Sequence, residues 1–545
     1  METKETIAPE AVMQVPTTPL EKYEDGDAAL MFLAREHRAG IVDIAESRAL
    51  RWKIDLRIMP ILMGIYFLQY LDKTLLNYAA VMGIKDALKG NEYSNIGTIF
   101  YVGYFVAEPI TAYLMQRFPI GKYIGINVTC WGILVACHAA CQSYASLMIV
   151  RILLGAFEAS VAPSLILITG MWWTKPEQSR RTGLWYSQIG VAQIVGSAIS
   201  YGFQHVNSTA LANWQILFLF MVGCFWTVRI LRALEADEGE LQGCLTTVAG
   251  IAIIFLLPDN PMSASFLKDE EKITAIEHVR VNLTGVENKH FKPYQLVELL
   301  FKDKETWPLF FITLLAMIDN GAVSNFSSII IATFGFSTQR TTIIQMPSGA
   351  VSIIATVGAT YLIGAIGHRS YMIAIITIPS ILGAGLLLGM NAPWKTMTND
   401  QLTNRLPVTG LGEQYKVGKL FGVYLLNACP AMLPIIYSWN SANTSGYTKR
   451  AMRNALTLMA FCVGNLIGPQ LFQDSDAPSY NAAKITLIAT MSAVVLMALA
   501  LRQLTVWENA KRDLEQAGPE DEASAADLAF LDLTDIQNRR FRYVY

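Results

Sequence analysis

The sequence predicts an all-α membrane protein with twelve transmembrane helices in two pseudo-symmetric six-helix bundles. Three observations lead to this fold class. Of the 545 residues, 53% are hydrophobic and only 16% are charged, whereas about 25% of an average soluble domain is charged. Apolar stretches of about 20 residues, long enough to cross a bilayer, recur along the chain. A polar segment separates two sets of six such stretches.

These features divide the chain into five parts. We expect a cytoplasmic N-terminal tail at 1–50, a first bundle at 51–257, a cytoplasmic central loop at 258–304, a second bundle at 305–505 and a cytoplasmic C-terminal tail at 506–545. The predicted spans are 58–80, 96–116, 122–142, 145–170, 183–204, 214–257, 306–331, 342–364, 371–390, 418–440, 451–471 and 483–503. Similar basic loops follow the second span of each set, which indicates an internal repeat.

The sixth span is interrupted by charged sequence. The apolar run that begins at Trp214 continues into Arg229 and Arg232, and apolar sequence resumes at Gly243. Without residues 222–242, one continuous span would remain. We hypothesise that these residues are a translated intron. The segment begins with Val222, whose codons start with GT, and ends with Gln242, which CAG encodes; both match the signals at the two ends of an intron. A genuine insertion is the alternative, and sequencing the transcript distinguishes the two.

Lysine and arginine in the short loops predict the orientation in the membrane. They precede span 1 and concentrate in the loops between spans 2 and 3, 4 and 5, and 10 and 11, all on one side. Such charges mark the cytoplasmic side. We therefore expect a multi-pass protein of the plasma membrane with both termini in the cytoplasm. The sequon at Asn207 would then face outside as a glycosylation site, with an unmodified short loop as the alternative.

Asp72 and Lys73 lie in the middle of the first predicted span. A charge at the centre of a membrane helix costs about 2.5–3.5 kcal/mol on insertion scales, so such residues usually face a cavity or a partner. Adjacent residues diverge by about 100° on a helix, and the two charges therefore serve different purposes. We expect Asp72 to exchange a proton, and Lys73 to be a countercharge or an anion contact.

The fourth span carries charged and small residues on one face. Arg151, Gly155, Glu158 and Ala162 recur at helical spacing. Arg151 and Glu158 are about 10 Å apart along the axis, so each needs another partner or a ligand. Arg151 falls at a depth similar to that of Asp72. Two alternatives remain for Asp72 and Arg151. They bind a substrate or a proton, or they form a fixed ion pair with each other.

Other spans contain further polar candidates. Glu108 precedes Pro109 in span 2, where it is a proton-coupling site or supports a helix kink. The second half has few membrane charges, and amides and an aromatic residue are its candidate ligand contacts. They are Asn320, Asn325, Tyr437 and Asn440. Hydrogen bonds between packed helices explain some of these residues equally well.

Five strings of residues carry a family resemblance. They are Tyr70-Leu-Asp72-Lys73 with Asn77, Arg151-xxx-Gly155-xx-Glu158-Ala-xxx-Pro163, Trp214-Gln-Ile-Leu-Phe, Leu257-Pro-Asp-Asn-Pro261 and Asn443-Thr-Ser-Gly446-Tyr-Thr-Lys449-Arg450. They resemble the fungal allantoate permease family, the anion:cation symporters of the major facilitator superfamily. The resemblance covers about residues 50–510, and the last string is the most specific. Residues 222–242 depart from the family pattern.

The resemblance implies a secondary active transporter that carries a small organic anion together with protons by alternating access. The anion would be a carboxylate, a vitamin or an amino acid derivative. Arg151 would attract its carboxylate, with Lys73 and Asn77 as further contacts, and Asp72, Glu158 or Glu108 would carry the proton. Export of a fungal secondary metabolite and a non-transporting nutrient sensor on the same fold are the alternatives.

Other classes of function find no support in the sequence. The net charge of −2 provides no basic surface for nucleic acid. The sequence contains no metal-ligand spacing, no GxSxG and no phosphate-binding loop, so an enzyme is not predicted and no cofactor is expected. The expected partners are the substrate anion, protons and the lipid bilayer, and we expect a monomer.

Overall fold

The computed structural model describes most of the two predicted bundles. The described residues are 27–29, 32, 44–81, 92–141, 143–203, 244–282, 284, 286–333, 342–389, 411–471, 480–515 and 531–545. The segment 222–242, for which the intron hypothesis was made, lies outside them. So does the sequon at Asn207.

The described part of the chain forms α-helices and contains no strand. The first half contains α1 Ile44–Val81, α2 Glu92–Arg117, α3 Ile120–Ala140, α4 Tyr144–Glu158, α5 Val161–Trp172, α6 Lys175–Tyr186, α7 Gln188–Phe203 and α8 Cys244–Leu256. The central segment contains α9 Asp269–Arg280 and α10 Pro293–Phe301. The second half contains α11 Thr306–Thr333, α12 Met346–Ile366, α13 Arg369–Gly389, α14 Leu411–Leu426, a 3₁₀-helix Cys429–Ala431, α15 Met432–Asn443, α16 Tyr447–Gln470 and α17 Asn481–Glu515.

Nine helical stretches among the described residues are long and apolar enough to cross a membrane. Their outer surfaces carry large apolar side chains, and Phe255, Ile354 and Leu496 are 81%, 72% and 69% exposed. So much exposed apolar surface is unusual for a soluble monomer and fits a lipid environment. The predicted all-α membrane class is therefore confirmed, while the count of twelve spans stays a prediction.

The contacts between the halves have the pattern of an internal repeat. α2 packs on α16, and α7 packs on α12. Each contact thus pairs the second predicted span of one half with the fifth of the other. The same relationship would arise if a six-helix unit were duplicated around a pseudo-twofold axis.

Glycine permits the close contact between α7 and α12. A Cβ added at Gly190 would collide with the carbonyl oxygen of Gly349, and a Cβ at Gly349 would lie 2.6 Å from the carbonyl oxygen of Gly190. Small residues allow helix backbones to approach in this way inside a membrane. The two halves are therefore in backbone contact along this seam.

The predicted fourth span, 145–170, is divided into two helices. Ser143 begins α4 as its N-cap, since its hydroxyl accepts a hydrogen bond from the amide of Ser146 at 3.2 Å. The α4 helix ends at Glu158, and α5 starts at Val161 with Pro163 in its first turn. Proline lacks an N–H and suits a first turn. This break fixes the position of Glu158 at a helix end.

The last helix extends into the predicted tail at 506–545. The α17 helix continues past 505 to Glu515, and residues 531–545 pack on the bundles. The central segment is also structured, with α9 and α10 lying against the same end of the molecule. We call this the central-loop end.

Candidate substrate cavity

A small cavity lies between the two halves. Its volume is about 30 Å³, more than the roughly 10–15 Å³ that one water molecule needs. Residues from both halves line it: Tyr66, Gln69, Tyr70, Lys73, Phe100, Tyr104, Glu158, Ala162, Tyr186, Ile189, Asn320, Leu433, Tyr437, Leu458 and Phe461. Four of the predicted site residues, Lys73, Glu158, Asn320 and Tyr437, are therefore brought together at one place.

Lys73 is the cation of this cavity. Its Nζ lies 5.2 Å from the ring centroid of Tyr101 and 4.8 Å from that of Phe461. An ammonium is attracted to the face of an aromatic ring. These rings come from α2 and α16, so Lys73 on α1 contacts both halves.

Glu158 is the carboxylate of the cavity. Its Oε1 accepts a hydrogen bond from Gln69 Nε2 at 3.1 Å, and the side chain is buried. The charges of Asp72, Lys73 and Arg151 act on it electrostatically. A buried carboxylate in such surroundings can gain or lose a proton when a neighbouring charge changes.

Asp72 is turned away from the cavity lining. Trp131 on α3 donates a hydrogen bond from its Nε1 to Asp72 Oδ2 at 2.6 Å. The positive charge of the buried Arg151 attracts this carboxylate. Neither Asp72 nor Arg151 lines the cavity. The neighbours Asp72 and Lys73 thus have different surroundings, in agreement with their divergence on the helix.

The other predicted residues lie away from the cavity or outside the description. Glu108 is fully buried, and Asn440 donates a hydrogen bond to Thr457 Oγ1 at 2.7 Å; neither lines the cavity. The structure does not describe the side chains of Asn77 and Asn325.

Asn320, which lines the cavity, also joins two helices of the second half. Its amide Nδ2 donates a hydrogen bond to Oδ1 of Asn465, on α16, at 2.9 Å.

The sequence did not reveal a cluster of aromatic side chains at the cavity. The Tyr66 ring lies 4.8 Å from the Trp185 ring and 5.2 Å from that of Tyr186, measured between centroids. Tyr437 of the second half completes the group, with its centroid 6.3 Å from that of Tyr186. Single aromatic residues in apolar spans give no signal of this kind, since only the packing of three helices brings them together.

The two halves also contact each other at the central-loop end. Ser179 Oγ and Ser438 Oγ are 2.6 Å apart, and Arg369 donates to both hydroxyl groups, at 3.3 and 3.2 Å. A second bond runs from Ser441 Oγ to Gln178 Oε1 at 2.8 Å. These buried bonds join the two halves at this end.

A carboxylate at the start of α6 gathers basic partners outside the spans. Glu177 completes a capping box with Thr174, and it binds Arg51 at 2.7 Å and His278 at 2.8 Å. Burial alone would raise the pKa of Glu177, but the hydrogen bonds from His278 and Arg51 outweigh it and hold this pKa below its ordinary value. The carboxylate therefore joins α1, α6 and α9.

A second charged cluster lies before α11. Lys449 Nζ is 3.1 Å from Asp303, and Arg453 is 3.0 Å from Glu305; all four side chains are buried. Burial raises the pKa of Glu305 to about 7. For Asp303, the charges of Arg453 and Lys449 exceed the effect of burial and hold the pKa below its ordinary value. Lys449 and Arg453, which fall in a predicted cytoplasmic loop, are thus buried and paired with carboxylates.

The sequence matches the model of one protein family. The model of the Major Facilitator Superfamily matches residues 62–399. The chain belongs to the major facilitator superfamily. Members of this superfamily are transporters, so the predictions of a multi-pass membrane transporter and against an enzyme are confirmed.

Curated relatives support the family and its fungal branch. The chain is 44% identical to the thiamine pathway transporter THI73 of Saccharomyces cerevisiae over 90% of this chain and 86% of that protein. It is 31% identical to the allantoate permease of the same yeast, over 99% of this chain and 94% of that protein. The resemblance deduced from the motifs is therefore confirmed.

A solved structure shows the same fold. The crystal structure of the human organic anion transporter MFSD10 (TETRAN) matches with a TM-score of 0.54 and 12% sequence identity. The match covers 82% of this chain and 99% of that one. At this identity the likeness concerns the fold alone.

Proposed function

We propose that this protein is a proton-coupled symporter of a small organic anion and works by alternating access. The observation that carries the proposal is the presence of Lys73 and Glu158 in the lining of one cavity between the halves. An ammonium attracts the anion, and a carboxylate binds a proton, so the two substrates of a symporter each have a group of suitable chemistry.

The groups around this pair have supporting roles in the proposal. Lys73 contacts the anion directly, while Asn320 and Tyr437 orient it through hydrogen bonds and ring contact. Arg151 and Asp72 lie outside the cavity lining and balance charge behind it. With Arg151 set back in this conformation, Lys73 becomes the first contact for the anion. Proton exchange is assigned to Glu158, since it lines the cavity.

The distribution of contacts supports alternating access. The bonds between Ser179, Ser438 and Arg369 close the central-loop end. The cavity holds only about 30 Å³, so the halves must separate before an organic anion enters. We propose that these bonds form and break as the halves rock about the cavity, in a plasma membrane with both termini in the cytoplasm.

Uptake into proteoliposomes tests the proposed substrate class. The panel consists of radiolabelled carboxylates, among them allantoate, with thiamine as a cation because one relative is named for the thiamine pathway. We expect a carboxylate to accumulate when the outside is more acidic, with Lys73→Gln reducing its uptake at low substrate concentration. Accumulation of thiamine and of no anion would reject the anion proposal. The test requires versions with and without residues 222–242.

A further inference from the structure

The motif from Asn443 to Arg450 is a docking site for the end of the chain. Asn443 Nδ2 donates to Val544 O, and Val544 N donates to Asn443 Oδ1, both at 2.8 Å. Ser445 Oγ donates to Leu533 O at 2.7 Å. This reciprocal pattern fixes the backbone of the C-terminal segment, residues 531–545, against the start of α16.

Two aspartates anchor the same segment. Asp532 Oδ1 accepts a hydrogen bond from the amide of Tyr447 at 2.7 Å, and Lys292 lies 2.9 Å from its other oxygen. Asp535 Oδ1 is 2.8 Å from Nζ of the fully buried Lys449. Gly446, between the helices, has a φ of +90°, which an L side chain rarely adopts. The turn therefore depends on glycine.

The last membrane helix holds the segment from its other side. Arg512 on α17 donates to the carbonyl oxygens of Asp535 and Phe541, each at 2.9 Å, and to the Tyr543 hydroxyl at 2.8 Å. The Tyr543 hydroxyl in turn donates to Asp535 Oδ2 at 2.7 Å. Buried hydrogen bonds of this number define one docked position.

The segment also contacts the first half. Nζ of Lys175, at the start of α6, lies 4.2 Å from the ring centroid of Phe541, whose side chain is fully buried. Tyr545 O accepts a hydrogen bond from the amide of Arg369 at 3.0 Å. Arg369 and Ser179 belong to the group that closes the central-loop end. The segment thus lies across the seam that must open.

We propose that residues 531–545 form a strap that stabilises the closed central-loop end by joining α6 of the first half to the second half. The inference rests on the alternating access of the proposed function. Most bonds of the strap are to the second half and the central segment, so the strap remains there when the halves separate. Opening then breaks the contact between Lys175 and Phe541.

A pair of cysteines measures closure without a substrate. Ser179→Cys with Ser438→Cys places two thiols where the hydroxyl oxygens are 2.6 Å apart, a spacing suited to disulfide formation. Phe541→Ala or Lys175→Ala in this background is expected to lower the oxidative cross-linking rate about three- to tenfold, because a buried contact between the halves is lost. Lys175→Arg keeps a cation and should restore the rate.

The control is Arg539→Ala, which changes a side chain of the same segment that is 65% exposed and should cross-link at the parent rate. Size-exclusion chromatography in detergent confirms folding, and Lys175→Ala tests the contact without altering the strap itself. Equal cross-linking rates in the parent, Phe541→Ala and Lys175→Ala would overturn the strap. Failure of anion symport would appear in uptake alone, since cross-linking requires no transported substrate.

Discussion

Glu158 Oε1 lies 3.1 Å from Gln69 Nε2, and this hydrogen bond connects the end of α4 to α1 at the wall of the cavity. The carboxylate is buried, with Lys73 in the same cavity. A proton on Glu158 would remove one negative charge from the surroundings of Lys73 and increase its attraction for an anion. Proton and anion binding are then mutually favourable, as symport requires.

The Glu158→Gln variant removes the proton site and keeps a hydrogen-bonding side chain of similar size. We expect exchange of labelled for unlabelled substrate to continue, since it needs no net proton movement. Accumulation driven by a pH gradient should fall by at least about tenfold. Both are measured in proteoliposomes. Glu270→Gln, at an exposed carboxylate on α9, is the matched control and should accumulate substrate normally.

The Lys73→Gln variant removes the cation of the cavity. We expect the KM for the anion to rise at least about tenfold, equivalent to about 1.4 kcal/mol, because the carboxylate loses its charged contact. Initial uptake rates over a range of substrate concentrations give the KM. Lys289→Gln, at a lysine whose side chain is 54% exposed, serves as the control. An unchanged KM in Lys73→Gln would show that the anion binds elsewhere.

The Gly190→Ala variant should disturb the seam between α7 and α12. The added Cβ collides with the backbone at Gly349, and overpacking of this kind costs about 1–3 kcal/mol. We expect a lower apparent melting temperature in detergent together with slower transport. Gly202→Ala lies on the same helix with no atom within 4 Å of its Cβ. It should be neutral or slightly stabilising, because alanine favours a helix.

The Glu177→Gln variant should weaken the junction of α1, α6 and α9. The pKa of Glu177 is below its ordinary value in the folded protein, so its contribution to stability is complete above the unfolded pKa of about 4.3. That contribution is lost as the pH falls through the folded pKa. We expect a loss of about 1 kcal/mol at neutral pH, since the partners are partly exposed. Melting temperatures of variant and wild type should approach each other as the pH falls from the unfolded pKa towards the lower folded pKa of Glu177.

The fold could be predicted because its signals are local. Apolar runs of membrane length and the polar central segment indicate the bundles without any knowledge of packing. Charges such as Lys73 and Glu158 were recognisable because their cost in a membrane demands a function or a partner. Their position in one cavity required the structure, since it depends on the rotation of α1 and on the end of α4 at Glu158.

The docking of the chain's end could not be predicted from the same signals. Lys449 and Arg453 have the appearance of positive loop residues that face the cytoplasm. Their carboxylate partners, Asp303, Glu305 and Asp535, are remote in sequence, so no local spacing reveals the pairs. The aspartates at 532 and 535 likewise read as part of a charged tail, and only tertiary contacts show them to be buried.

Proton movement during substrate uptake tests the central claim most directly. A pH-sensitive dye inside proteoliposomes records acidification when an anion from the panel is added outside, with the membrane potential clamped. The account predicts acidification with wild type, none with Glu158→Gln, and normal acidification with Glu270→Gln. Anion uptake by wild type without acidification, or unchanged acidification in Glu158→Gln, would contradict it.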